Sequence, residues 1–184
     1  MKYFLKDINR YYNRFNKRFE WNEPSWIVVL LYRITRSIRE MPQWLFLIKI
    51  ALNIIIVPIY AFCSILMGIS IPRSVDIGAG LRICHFGTII IGVNTKIGSN
   101  FTIHQGCTIG AKNSFSDFVT IGDDVTMCAN SMIIGNLTIG NNVTIGANSV
   151  VMCNIPDNSI AVGMPARIIP KKKDFKDYSK GYFE

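Results

Sequence analysis

A chain of 184 residues with 49% hydrophobic content has material for one domain with a real core and is too apolar for disorder. Its net charge of +8 is uneven: residues 1–70 carry ten Lys/Arg and four Asp/Glu, residues 71–166 four and five, residues 167–184 six and three. Basic ends fit a solvated surface, an anionic lipid contact or a ligand's phosphates, and nucleic-acid binding is set aside because no binding motif accompanies the charge.

In chain order, residues 1–23 mix six Lys/Arg with aromatic side chains, predict a short amphipathic helix and end at Glu23-Pro24-Ser25. Ser25 is an N-cap candidate for a helix to about Glu40, with Ile27, Leu31, Ile34 and Ile38 at helical spacing and Arg33, Arg36 and Arg39 expected on the other side. From Trp44 to Met67 the chain is almost wholly apolar, long enough for a membrane span. Pro58 predicts two helices there instead, packed on each other, on the coil end or on a neighbouring subunit, with one apolar face resting on a membrane.

From Ile71 a six-residue unit takes over. Aliphatic leads stand at Ile71, Ile77, Ile83 and Ile89; after a two-residue slip they resume at Ile91, Ile97, Ile103, Ile109, Phe115, Ile121, Met127, Ile133, Ile139, Ile145 and Val151. Such a period marks a solenoid, in which each unit buries its apolar side only by stacking on the next. Three places after the lead come residues that tolerate positive φ: Asn94, Asn100, Asn130, Asn136, Asn142, Asn148, Asp124, Gly80 and Gly106. Three such turns close a triangular coil of eighteen residues. Residues 111–119 lack this turn code and predict an excursion. The five cysteines, Cys63, Cys84, Cys107, Cys128 and Cys153, form no CxxC pair, and with no signal peptide ahead of them read as reduced cytosolic thiols in or near the core.

These hexads resemble the hexapeptide-repeat acyltransferases over the last two-thirds of the chain. That resemblance implies a mainly β, left-handed parallel β-helix, a homotrimer, and active sites between adjacent prisms. It divides the chain into an N-terminal helical segment (1–70), a β-helix acyltransferase domain (71–166) with an acceptor-covering loop (111–119), and a basic tail (167–184). Gly163-Met-Pro-Ala-Arg-Ile-Ile-Pro resembles the family's closing motif.

The chain's two histidines are His85 and His104. The hexad Ile83-Cys84-His85-Phe86-Gly87-Thr88 breaks the turn code, and departures from a chain's own rule tend to mark function. The leads place both histidines near one corner of successive coils. Acyl transfer from a thioester needs a base for the attacking hydroxyl and an acid for the departing thiolate, which histidine suits. Gly80-Leu-Arg-Ile-Cys-His-Phe-Gly-Thr-Ile-Ile-Ile-Gly92 resembles the catalytic segment of serine acetyltransferases and polysaccharide O-acetyltransferases, and implies His85 as general base. Thr102-Ile-His-Gln-Gly-Cys-Thr-Ile-Gly110 is similar to the next block of the polysaccharide enzymes, with His104 binding acceptor or orienting His85.

Serine acetyltransferases carry acids where this chain has Cys84 and Ser70, and a histidine in the loop, where residues 111–119 have none. Asp117 and Asp76 are the candidates for the carboxylate behind His85. For acetyl-CoA the resemblance implies Gly110, Ala111, Ala129, Gly146, Ala147, Arg167 and Lys171. No metal is expected: two histidines cannot build the three-histidine zinc site known on this fold. Three functions follow as expectations. The first is an acetyl-CoA-dependent O-acetyltransferase for a sugar hydroxyl in bacterial surface-polysaccharide synthesis, cytoplasmic or peripheral at an anionic membrane. The alternatives are a serine O-acetyltransferase and a non-catalytic trimeric membrane-docking scaffold.

Overall fold

The computed structural model describes residues 3–13, 18–111 and 116–172. Its body is a left-handed parallel β-helix with three sheet faces. Ile77, Ile97, Ile121 and Ile139 align on the first face, Ile83, Ile103, Met127 and Ile145 on the second, and Ile91, Ile109, Ile133 and Val151 on the third. All twelve side chains point inward and are at most 3% exposed. Each contributes roughly 1.5–3 kcal/mol by leaving water. The side chain four places after a lead also turns inward, as with Val75, Leu81, Phe101, Cys107, Val125 and Val143.

Of the two kinds of corner where positive φ recurs, one follows the first face, at Gly80, Asn100, Asp124, Asn142 and Asn158, and one the second, at Gly106, Asn130 and Asn148. Asn94 and Asn136, expected to do the same after the third face, do not; Gly135 takes the positive φ there. At the first corner the side chains form a ladder: Asn100 Nδ2 donates to Asp124 Oδ1 (3.0 Å) and Asn142 Nδ2 to Asn158 Oδ1 (2.9 Å). Beside it Gly78, Gly98, Gly122 and Gly140 stack so closely that a Cβ on Gly98 would lie 2.6 Å from the Gly122 carbonyl oxygen.

Ile121 pairs with Ile97 and Ile139, so Ile109 to Ile121 is one step between faces, with six residues to spare. This is the excursion expected at 111–119, although Val119 already belongs to the strand Val119–Ile121. Phe115, counted as a lead, lies outside the described residues. Ser159–Val162 and Arg167–Pro170 close the second face as an antiparallel pair.

The N-terminal segment departs further from expectation. It contains a six-residue helix α1 (Phe4–Asn9) and a small antiparallel pair, Tyr12–Asn13 with Arg18–Phe19. Helix α2 (Ser25–Arg39) has Pro24 at its N-cap, and Ser25 Oγ donates instead to the Ile83 carbonyl (2.8 Å). Arg33 does not face water: it is 6% exposed and pairs with Asp7 (Nε to Oδ2, 2.7 Å). Arg36 bonds Val75 O, Glu40 and Asp76. Residues 46–67 form one helix, α3 (Phe46–Met67), with Pro58 inside it rather than between two helices. Pro58 lies on the exposed side of the helix.

Among the cysteines, Cys84 and Cys107 are buried and Cys153 is exposed. Burial pushes the Cys84 thiol up to about 11, so it stays protonated and is no nucleophile.

Two substitutions test this construction by chemical denaturation. Asp7→Ala strands the Arg33 guanidinium in a buried site and lowers stability by about 3–5 kcal/mol. Gly98→Ala forces neighbouring coils apart and costs about 1–3 kcal/mol, the range of overpacking.

Candidate active site

The first coil ends in an open strand edge, whose backbone groups face no further coil. The N-terminal segment supplies their partners. Asp7 Oδ1 accepts from the N–H groups of Gly80 (2.7 Å) and Leu81 (2.8 Å), and Arg33 donates to the carbonyls of Ile77 and Gly78 (2.6 Å each). Tyr11 Oη accepts from Ile83 N–H (3.0 Å), while Ser25 holds the Ile83 carbonyl. Burial raises the Tyr11 phenol above its usual range and keeps it neutral. Arg10 donates to Gly80 O (2.7 Å) and Thr102 Oγ1 (2.8 Å), and Arg82 pairs with Glu20 (3.3 Å).

Two residues past this capped strand stands His85. The step from second to third face takes eight residues here, Ile83 to Ile91, against six from Ile103 to Ile109. The surplus is absorbed around Cys84–Thr88, where Gly87 takes φ 139° and Phe86 is left half exposed. The bulge pushes His85 outward, with 58% of its side chain accessible. Its Nδ1 lies 2.8 Å from Glu23 Oε1. A carboxylate only accepts, so Nδ1 carries the proton and Nε2 presents a lone pair. Glu23 Oε2 is buried with no partner among the described residues.

Register puts Ile83 beside Ile103, so His104 follows on the next coil. The two imidazole rings are 6.3 Å apart, edge to face. That separation is too great for a bond between the two rings, and the contact at His85 Nδ1 is with Glu23. Of the expected carboxylates, Asp76 is bonded to Arg36 on the first face, and the one at His85 Nδ1 is that of Glu23. Cys84 is buried, with Arg82, Arg10, Glu20 and Glu23 as its charged neighbours.

Glu23 was missed in the sequence, where it reads only as the end of an aromatic stretch. Its sole local signal was a carboxylate directly before Pro24 at a helix start. The contact spans 62 residues and depends on how the segment docks.

Of the residues expected at acetyl-CoA, Ala129, Gly146 and Ala147 follow Met127 and Ile145 at the corner carrying the histidines. Arg167, opposite Val162, stands exposed at its far end. From Ile83 to Ala161 the corner runs four rungs, about 19 Å at the usual strand spacing. Gly110 and Ala111 lie at a different corner, after the third face, where a Cβ on Gly110 would meet open space. Lys171 does not join the row: its Nζ donates to Asn142 Oδ1 (3.0 Å) and its N–H to Asn158 O, at the first corner. Among the described residues no cluster of three His, Cys, Asp or Glu could hold a metal ion.

Residues 118–153 match the model of the bacterial transferase hexapeptide family (six repeats). No curated protein sequence matches the chain. Among solved structures, the serine acetyltransferase of Neisseria gonorrhoeae is 27% identical, with a TM-score of 0.74 over 97% of this chain and 68% of that one. The same organism's enzyme in complex with serine gives 27% and 0.72 over 90% and 67%. A serine acetyltransferase in complex with CoA is 25% identical, with a TM-score of 0.72 over 91% and 68%. The chain thus carries a bacterial transferase hexapeptide repeat over residues 118–153 and is similar in structure to serine acetyltransferases.

Proposed function

We propose that the chain is an acetyl-CoA-dependent O-acetyltransferase in which His85 is the general base and Glu23 its positioning residue. The observation that carries this is the 2.8 Å contact of His85 Nδ1 with Glu23 Oε1, on an imidazole whose other nitrogen faces solvent. Bound acetyl-CoA supplies an activated acyl carbon and a thiolate leaving group. His85 Nε2 takes the proton of the acceptor hydroxyl as its oxygen bonds to the acyl carbon, and returns it to the sulfur as the C–S bond breaks. Glu23 holds the tautomer and offsets the charge His85 gains, the division of labour of a Ser-His-Asp triad.

The row from His104 past Ala129 and Ala147 to Arg167 fits an extended donor: small residues leave backbone groups accessible, and an exposed cation at the far end suits phosphate. Gly110 and Ala111, on another corner, line the same groove only if a second prism brings them there. That supports a homotrimer, as does the apolar outward strip of the third face at Ile90, Met132 and Met152.

For the acceptor, L-serine is the reading the structural relatives favour. Glu23 also weakens one argument against it, since a carboxylate does stand beside the proposed base. A neutral sugar hydroxyl is the second reading, favoured by Cys84 and Ser70 in place of acids and by a histidine-free loop.

Three measurements bear on this. His85→Ala lowers kcat by about 10²–10⁴-fold with acetyl-CoA affinity unchanged, the loss expected of a general base; near-normal turnover would remove His85 from the mechanism. Glu23→Gln lowers kcat by less, again at constant acetyl-CoA affinity, whereas a merely structural Glu23 would show lost stability and unaltered kcat. Thiol release from acetyl-CoA, followed with L-serine and with glycan acceptors side by side, separates the two readings: saturable turnover with serine supports the first, and turnover with glycans alone replaces it by the second.

A further inference from the structure

Helix α3 is inverted. Its few polar side chains, Lys49, Asn53, Tyr60 and Ser64, recur at helical spacing on the side packed against the protein, while the outward side carries only apolar residues. Leu47, Ile54, Phe62, Ile65 and Leu66 are 66–82% exposed, and Trp44 just ahead of the helix is 81% exposed. At 1.5 Å per residue its 22 residues make an apolar ridge about 33 Å long. The ridge continues into a cavity of about 530 Å³ between α3 and the first coil, lined by Val57, Ala61, Ile65, Ile69 and Ile89. Gln43–Met67 is long and apolar enough to cross a membrane by length and composition.

Three cations flank this ridge. Lys49 Nζ donates to the Arg39 carbonyl (2.8 Å), Arg39 to the Arg73 carbonyl (3.2 Å), and Arg73 to Asn53 Oδ1 (2.5 Å). Each bonds a neutral oxygen, and none pairs with a carboxylate among the described residues. The basic patch expected at Arg33, Arg36 and Arg39 is thus replaced by another, since Arg33 and Arg36 are spent on the coil.

We infer that α3 lies in the interface of an anionic bilayer, its outward ridge among the acyl chains and Arg39, Lys49 and Arg73 at the headgroups. A leaflet with anionic lipid supplies both apolar depth and counter-charge. A second copy packed on the ridge by two-fold symmetry would set two such cation clusters together. A span is disfavoured by the packed side, because crossing the bilayer would strip Lys49, Asn53 and Tyr60 from their partners on α2 and the coil. The docked orientation also bears on the site. Gly87 N–H donates to the Met67 carbonyl (3.0 Å), so the end of α3 is tied to the chain two residues beyond His85.

The docking stands or falls independently of the acceptor. Full-length protein is floated with vesicles of phosphatidylcholine alone and of phosphatidylcholine with phosphatidylglycerol. It partitions to the anionic vesicles and is partly released by salt. Ile54→Asn with Ile65→Asn abolishes binding without changing the circular dichroism or turnover on a soluble acceptor. Arg39→Gln with Lys49→Gln weakens partition by roughly 25-fold, about fivefold per cation near an anionic surface. Absence of vesicle binding, together with an oligomer that dissociates on Ile54→Asn/Ile65→Asn, would overturn the inference in favour of a second copy. Membrane association released only by detergent would overturn it in favour of a span.

Discussion

A parallel coil must end, and where it ends a strand edge exposes unpaired N–H and C=O groups. Left bare, such an edge recruits other chains. Here the first coil is closed by side chains from the segment before it: Asp7 on two amides, Arg33 on two carbonyls, Tyr11 and Ser25 on the two groups of Ile83. The Asp7–Arg33 pair is buried, yet each member also binds backbone, so neither charge is left without partners. That closure sets where residues 20–25 lie, and therefore where Glu23 meets His85.

The corner that carries the two histidines and the coil end are one structure for this reason. The same strand that is capped at Ile83 leads into the two-residue bulge that expels His85. The bulge is anchored on its far side by the Gly87–Met67 bond to α3. Three separate elements therefore converge on five residues. The carboxylate at His85 Nδ1 comes from the cap and not from the coil itself.

How much of this was legible beforehand differs between the coil and its cap. Every described lead turned inward, because a six-residue period imposes one inward direction per face and each apolar side chain can find cover only there. His85 and His104 were placed together by counting alone. Where the turn code lapses, the step from Ile109 to Ile121 takes twelve residues instead of six. Asn94 and Asn136 were misread because the third corner turns without a left-handed Asn, and composition does not distinguish the three corners.

By itself the sequence determined what repeats: the period, the faces, the inward residues, the bulge and the histidine it exposes. It did so because those features depend on neighbours within one coil or on the identical unit in the next. Tertiary structure alone decided what does not repeat. Arg33 goes inward because Asp7, 26 residues away, and two coil carbonyls await it. Pro58 sits within a single helix because its side of α3 faces away from the protein. Glu23 becomes the partner of His85 through contacts 62 residues apart, whose geometry no local pattern encodes.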